Sequence, residues 1–152
     1  MRRFKIILII IVSLAITSCK TVNPEEDAVR KSIGRYNLAI VIAYRDLNME
    51  PLKAVTIEAH SNKVNSIIEA YLSGDEIMDS ELLKLTFNDI KIEENKAEAV
   101  TSEDWKFRWV NIKTREEVEP LKDIHYEMLY HLVKKDGKWL VEKVEEAKEV
   151  GR

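Results

Sequence analysis

The fold of this 152-residue chain is decided by the segment Val100–Trp109, which reads VTSEDWKFRW. Its aromatic residues Trp105, Phe107 and Trp109 recur at every second position, a period that is typical of a β-strand with one buried face. We therefore predict a strand over about residues 97–112, with the three rings on one face of a sheet.

The same period continues on both sides of this segment. Before it, a strand that begins at Ser80 carries apolar residues at positions 83, 85 and 87 and then, out of phase, at 90 and 92, which predicts a β-bulge near Asn88-Asp89. After it, a strand over residues 123–134 leads to Asp136-Gly137, a dipeptide typical of tight hairpin turns, and then to a further strand that contains Trp139. The second half of the chain is therefore predicted to be an antiparallel sheet.

The first half has the helical period instead. Asn23-Pro24 is a typical helix start, and apolar residues at three- and four-residue steps predict a long helix that ends near Leu47. Leu38, Val41 and Ile42 are expected to widen the apolar stripe, so that most sides of the second half of this helix are covered. Pro51 either ends the pattern or begins a short second helix over residues 52–59, and a third helix is predicted over residues 62–72. Helices followed by an antiparallel meander indicate an α+β class, in which the helices pack into a curved, bulged sheet.

The first nineteen residues resemble the signal segment of bacterial lipoproteins. A basic start is followed by an apolar run over residues 6–16, which is too short to cross the ~30 Å hydrocarbon layer of a bilayer. Ile16-Thr17-Ser18-Cys19 is similar to the lipobox of that family, in which the cysteine is acylated and becomes the mature N-terminus. The alternative is an ordinary signal peptide with an incidental cysteine. We expect a signal peptide at 1–18, a lipidated N-terminus and short tether at 19–25, an α+β domain at 26–147 and a charged tail at 148–152.

Acylation of Cys19 would make membrane lipid a partner of the protein. The resemblance implies a location in the cell envelope, on the periplasmic side. Lys20 stands where lipoproteins retained in the inner membrane of enteric bacteria usually carry Asp, so the resemblance implies the outer membrane rather than the inner one. Because the tether is short, the domain is expected to lie close to the lipid surface.

Composition argues against several classes of function. Without residues 1–18 the chain has 21 basic and 27 acidic residues and a net charge of −6, whereas nucleic-acid binding needs a concentrated basic face. Cys19 is the only cysteine, so its acylation would leave no thiol for catalysis, disulfides or metal binding. The four glycines form no phosphate-binding cluster. We expect no cofactor and no nucleic-acid partner.

Three segments of the second half carry a likeness to a known superfamily: the Thr101-x-Glu103-x-Trp105 pattern, the stretch Tyr126–Tyr130 and the closing hairpin Asp136–Trp139. Over roughly residues 26–147 the chain resembles the nuclear-transport-factor-2-like (cystatin-like) superfamily, and more narrowly the IMS-type domain of cyanobacterial and plastid division proteins. The resemblance implies a helix-filled cone of curved sheet that binds or interacts without catalytic residues. It identifies no ligand. Because this chain lacks the other domains of the division proteins, a division role is not transferred.

Five aromatic residues are candidates for the lining of a pocket: Trp105, Phe107, Trp109, Tyr126 and Tyr130. On one face of a sheet they would form the wall of a site for an apolar or flat ligand. The alternative is cross-strand packing of these rings against the long helix, and one ring can serve both purposes.

Metal binding and catalysis have weaker candidates. His125 and Glu127 are plausible ligand types on one side of a strand, but His131 lies too far along it to complete a site, so we predict no metal and a solvated outer face. His60, Asp89 and Asp104 are possible acid–base residues, yet they form no recognisable catalytic spacing, and no Gly-x-Ser-x-Gly motif is present. We therefore assign no catalytic residue.

These observations predict a membrane-anchored envelope lipoprotein that acts as a non-catalytic binding or protein-interaction module, with an unknown protein partner or an apolar small molecule as its ligand. The competing function is a small-molecule isomerase or lyase that uses the cavity of the same fold. A sealed cone filled by side chains would favour an interaction module, whereas an open cavity with a buried histidine or carboxylate would favour the enzyme.

Overall fold

The computed structural model describes residues 23–147, so the predicted signal peptide, Cys19 and the tail 148–152 lie outside the described residues. The elements are α1 (Pro24–Asp46), α2 (Glu50–Lys53), α3 (Glu58–Leu72), β1 (Glu76–Glu93), β2 (Lys96–Asn111), β3 (Glu117–Lys135) and β4 (Lys138–Glu146). The strands form one antiparallel sheet in the order β1-β2-β3-β4, with the helices packed against it. The predicted α+β class is confirmed. None of the helices within residues 23–147 has the length and apolarity that a membrane span requires.

Helix α1 begins and ends close to the predicted positions. The Asn23 side chain accepts a hydrogen bond from the backbone N–H of Glu25 at 3.1 Å, and Pro24 occupies the first turn. The helix ends at Asp46 because Leu47 adopts the left-handed backbone conformation, with φ of 58°.

One face of α1 lies at the centre of the hydrophobic core. Val29 and Ile33 are fully buried and Tyr36 nearly so. Leu38 is instead 64% exposed, on the same side as the exposed residue Gly34 one turn earlier. The prediction that Leu38 widens the buried stripe was wrong, because the sheet covers one side of α1 and leaves the opposite side to solvent.

The break between α2 and α3 also differs from the predicted boundary. Residues 55–57 leave the helical conformation and pair with the edge of β4: the backbone N–H of Val141 donates to the Val55 carbonyl at 2.9 Å, and that of Ile57 donates to the Val141 carbonyl at 3.0 Å. This pairing ends the second helix early and lets α3 begin at Glu58. It also covers part of an otherwise open sheet edge.

Strand β1 contains two bulges, of which the second was predicted. It lies between Phe87 and Asp89, where the pairing with β2 shifts. Because each shift changes which alternate positions face inward, apolar residues on both sides, at positions 85, 87, 90 and 92, all pack against the core. The first bulge, between Leu82 and Lys84, was not predicted. Leu83 at this bulge is 49% exposed, although the sequence placed it with the inward residues.

Two strands begin earlier than predicted. Strand β1 starts at Glu76, which pairs with Asn111, and β3 starts at Glu117, which pairs with Val110. Backbone pairing thus continues past the segment in which the side chains alternate clearly, because a ladder of hydrogen bonds does not require one apolar face along its whole length.

The fold has two distinct ends. At one end, which we call the hairpin end, hydrogen bonds join the start of α1 to the β3–β4 hairpin. The Glu25 carboxylate accepts them from Lys134 Nζ at 2.7 Å and from Trp139 Nε1 at 3.0 Å. At the other end Arg45, in the last turn of α1, lies close to Asp79 near the start of β1. Because α1 has 23 residues, the hairpin end and the opposite end are about 34 Å apart along the helix.

Candidate functional site

A cavity of about 480 Å³ lies between the second half of α1, α3 and the inner face of the sheet. Its volume is within the range of small-molecule binding sites, which is roughly 300–1,000 Å³. Six elements contribute to its wall, and β2 contributes the most residues.

The structure places all five aromatic candidates on this wall: Trp105, Phe107, Trp109, Tyr126 and Tyr130. The alternation of β2 turns three of the rings inward, and the register puts Ser80 opposite Phe107 and Met78 opposite Trp109. Tyr130 is buried, whereas the other four rings remain partly exposed. The rings therefore surround the space without filling it. Whether a ligand occupies that space stays a prediction.

A pair of rings in contact, tilted by 38° to each other, lies at one end of the cavity. Trp109 lies against Tyr71 of α3 with ring centroids 4.2 Å apart. Tyr71 is 38% exposed, so this pair lies at the boundary between the cavity and solvent.

A single buried carboxylate, Glu103, belongs to the same wall and is only 2% exposed. Its Oε1 accepts hydrogen bonds from the Tyr130 hydroxyl at 2.7 Å, the Thr101 hydroxyl at 2.9 Å and the Asn37 amide at 3.4 Å. Its Oε2 accepts one from the Trp105 indole at 2.8 Å. A buried carboxylate is costly unless hydrogen bonds compensate for lost water, and these four donors supply that compensation.

The Tyr130 hydroxyl lies between two acceptors. It is 2.7 Å from Glu103 Oε1 and 2.9 Å from Asn37 Oδ1, and its one proton can serve only one of them at a time. Burial and the neighbouring Glu103 charge raise the pKa of Tyr130 far above its usual value. The hydroxyl therefore stays protonated and acts as a donor near neutral pH.

His60 lies behind the cavity wall and contacts it through Tyr36. The His60 Nε2 is 3.0 Å from the Tyr36 hydroxyl. Burial, with Lys63 nearby, lowers the pKa of His60 below its usual value, so the ring is neutral near pH 7. Burial also raises the pKa of Tyr36, which keeps its hydroxyl protonated and able to donate to the imidazole.

None of the three acid–base candidates from the sequence lines the cavity. His60 is behind the wall, and Asp89 lies at the second bulge, exposed and 3.7 Å from Lys91. Asp104 is 2.7 Å from His125, outside the cavity lining. The structure does not bring these three residues together.

His125 and Glu127 take part in a hydrogen-bond network outside the cavity. The His125 Nδ1 is 2.7 Å from Asp104, and its Nε2 is 3.2 Å from Glu127. These two carboxylates raise the pKa of His125 above its usual value. His131 instead contacts Glu98 and Glu145. Within residues 23–147 no three such side chains are grouped as ligands for a metal ion.

In the sequence Glu103 was noted only as part of the Thr101-x-Glu103-x-Trp105 pattern and was not among the candidate site residues. The signal that identifies it is its position two residues before Trp105, because the alternation that turns the rings inward turns Glu103 inward as well. A charged residue at an inward position of a strand is rare enough to indicate a special environment. An open cavity with a buried carboxylate is the arrangement expected of the enzyme alternative rather than of a sealed interaction module.

Solved structures with the same fold include proteins of low sequence identity. The intermembrane space region of the chloroplast protein ARC6 has a TM-score of 0.70 at 12% identity, covering 79% of this chain and 94% of that chain. A conserved protein from Planctomyces limnophilus has a TM-score of 0.55 at 14% identity, covering 81% and 98%. An Ntf2-like protein involved in plasmid conjugation has a TM-score of 0.54 at 11% identity, covering 82% and 51%.

These similarities show a shared fold, and the nuclear-transport-factor-2-like architecture implied by the sequence resemblance is confirmed. No protein-family model matches the chain, and no curated protein matches its sequence. The plastid location and the role in conjugation are properties of those other proteins, because fold similarity alone does not carry function.

The buried histidine behind the cavity predicts a loss of stability in acid. The pKa of His60 is lower in the folded state than its unperturbed value of 6.5, so the unfolded state binds the proton more readily as the pH falls through that value. We expect the free energy of unfolding of the wild type to fall relative to that of His60→Gln between about pH 8 and pH 5. Urea unfolding followed by circular dichroism measures both.

His125→Gln is the matched control with the opposite sign. Because the pKa of His125 is raised in the folded state, its contribution is present at low pH and is lost as the pH rises through the folded value. The wild type should therefore gain stability relative to His125→Gln as the pH falls. The same direction of change for both variants would contradict the assignment of His60 as a buried, neutral histidine.

Proposed function

We propose that this protein is a lipid-anchored envelope protein whose domain binds a small, flat, largely apolar molecule in the cavity. The observation that carries the proposal is the open space of about 480 Å³ with aromatic walls. Four of the five rings in the wall are partly exposed to water. A ligand that fills the space would remove this apolar surface from water, which is favourable.

The chemistry of the wall favours a flat, apolar body for the ligand. Apart from Asn37, Ser80 and Glu103, the lining residues are aromatic or aliphatic residues and methionines. Ring faces offer a large contact area, and the thioethers of Met78 and Met128 adapt to the shape of what lies against them. A few polar groups in an apolar wall are the usual composition of small-molecule sites.

A protein partner is the other version of a binding function. The concave shape of the site favours the small molecule, since side chains from six elements surround the space. A docking surface for a folded protein is generally broad and flat, with about 800 Å² contributed by each partner.

The anchor rests on the lipobox-like sequence Ile16–Cys19 and fits the position of the first described residue. Asn23 lies at the hairpin end, where Glu25 is fastened to Lys134. An acylated Cys19 would therefore hold the fold by its hairpin end, opposite the exposed Tyr71–Trp109 end of the cavity. The envelope location belongs to this part of the proposal.

Binding in the cavity can be followed through the tryptophans. The chain has three, of which Trp105 and Trp109 line the cavity and Trp139 does not. With 2-naphthol as an uncharged, flat probe, we expect saturable shifts of the Trp105 and Trp109 indole N–H signals in NMR spectra of the mature protein in a non-ionic detergent. The Trp139 signal should stay in place.

Two phenylalanine variants provide the matched comparison. Phe107→Ala removes a ring from the wall and should weaken 2-naphthol binding by about tenfold. Phe87→Ala makes the same change at a residue outside the cavity lining and should leave the affinity unchanged. Absence of saturable binding in the wild type, or equal weakening by both variants, would rule out the cavity as the binding site.

Lipidation has its own test in a bacterial host. The wild-type precursor should incorporate labelled palmitate and fractionate with membranes, because two or more buried acyl chains hold a protein stably on a bilayer. A Cys19→Ala variant should lose the label and accumulate as unprocessed precursor. Unlabelled wild type, or unchanged processing of the variant, contradicts the anchor and leaves the cavity proposal intact.

An isomerase or lyase is the second candidate, favoured by the presence of Glu103 in the wall. In such reactions a carboxylate removes a proton from carbon, and a neutral hydroxyl such as that of Tyr130 stabilises the developing oxyanion. Here Oε1 of Glu103 already faces three donors, one of them Tyr130. The Tyr130 hydroxyl would have to release Glu103 before it could stabilise an oxyanion, so binding without chemistry is better supported.

The two candidates differ in one isotopic signature. 1-Phenylpropan-2-one is a flat probe with exchangeable hydrogens beside its carbonyl group. For a binding protein, their exchange with D₂O should proceed at the buffer rate, as measured by NMR. An acceleration by the wild type that Glu103→Gln abolishes would instead establish the enzyme and displace the non-catalytic proposal.

A further inference from the structure

The charges around the cavity are unbalanced. Among the described residues that line it, Glu103 is the one acidic residue, and none is lysine, arginine or histidine. Both of its oxygens face hydrogen-bond donors, which is the environment of an ionised carboxylate, since the ionised group only accepts. The cavity thus holds a buried negative charge without a cation of the protein lining it.

The carboxylate also keeps an unused acceptor position. Two carboxylate oxygens offer about four lone-pair sites in total. Oε1 faces three donors, from Asn37, Thr101 and Tyr130, whereas Oε2 faces only the Trp105 indole. Oε2 can therefore accept one further hydrogen bond, and a charged donor would make it stronger.

Aromatic rings flank this carboxylate on two sides. Trp105 lies two residues further along the same strand and donates to Glu103, and Tyr126 is directly opposite Glu103 on β3. A cation within about 6 Å of an aromatic face is attracted by the electron-rich ring. The carboxylate and the rings therefore favour the same kind of charge.

The protein places its own cations on other rings. Within residues 23–147, Arg30 lies 4.7 Å above Phe87 and Lys134 lies 5.6 Å from the Trp139 ring centre, and neither ring lines the cavity. Because no lysine, arginine or histidine of the described residues lines the cavity, a cation on its rings would have to belong to a ligand. An anion would meet the Glu103 carboxylate at a site that no basic residue lines, which is unfavourable.

We propose that the ligand of this cavity is an organic cation, a protonated amine on a small apolar body, whose ammonium group binds between Glu103 and the neighbouring rings. This inference rests on the proposed binding function and specifies the chemical class of its ligand. The apolar body would lie along Phe107 and Trp109 towards the Tyr71 end.

The test compares three probes with the same ring and different charge: benzylammonium, benzyl alcohol and benzoate. Titrations follow the Trp105 and Trp109 indole signals of the mature protein, with Trp139 as the internal reference. The wild type should bind benzylammonium about tenfold or more tightly than benzyl alcohol, and benzoate most weakly. This comparison needs no variant, so it does not depend on how a substitution folds.

Two variants then test whether the preference for benzylammonium depends on the Glu103 carboxylate. Glu103→Gln removes the charge at nearly constant shape and should weaken benzylammonium binding by about tenfold while leaving benzyl alcohol unchanged. Glu98→Gln makes the same change at an exposed position of β2 outside the cavity lining and should leave all three affinities unchanged.

The outcomes separate this inference from the function on which it rests. If benzyl alcohol or benzoate binds as tightly as benzylammonium while 2-naphthol binds, the cation proposal is wrong and the cavity is still a binding site. If Glu103→Gln and Glu98→Gln weaken benzylammonium equally, a general surface charge and not Glu103 attracts it. If neither 2-naphthol nor any of the three probes binds, both proposals fail.

Discussion

The packing of α1 against the sheet depends on the hydrogen bonds that one buried carboxylate, that of Glu103, accepts. Side chains from three elements donate hydrogen bonds to the Glu103 carboxylate: Asn37 of α1, Tyr130 of β3, and Thr101 and Trp105 of its own strand. A buried carboxylate that lost a donor would remain partly uncompensated, so helix and strands are held in the one arrangement that supplies all four. Tyr130 adds an edge-on contact with Tyr36 of α1, with ring centroids 5.8 Å apart.

Helix α1 contributes to the core along its whole length, and its second half also lines the cavity. Val29 and Ile33 are fully buried near the hairpin end, where Glu25 is fastened to Lys134. Further along, Ile40 is only half-buried and lies on the cavity wall. The bulges of β1 favour curvature of the sheet, and the curved sheet surrounds the helix closely at one end and leaves space at the other. The cavity therefore lies along the half of α1 that is farther from the hairpin end.

This division fits the proposed attachment to a membrane. The tether would join the fold at its tightly packed end, and the partly exposed rings lie at the opposite end. Anchoring and ligand exchange would then not compete for the same surface. The polar network of Asp104, His125 and Glu127 lies outside the cavity lining and its carboxylates are only half-buried, so it has a different environment from Glu103.

The sequence by itself determined the features that depend on local backbone geometry. The α+β class, the helix start at Asn23, the bulge before Asp89 and the inward rings of β2 all follow from period and capping, because side-chain direction alternates along a strand and repeats every 3.6 residues along a helix. Only the tertiary structure decided the exposure of Leu38, the pairing of Thr56 with Val141 and the surroundings of Glu103. The inward position of Glu103 is readable from its strand, but its partners Asn37 and Tyr130 lie 66 and 27 residues away. Contacts between such distant segments depend on how the whole sheet curves around the helix, and no local pattern encodes that.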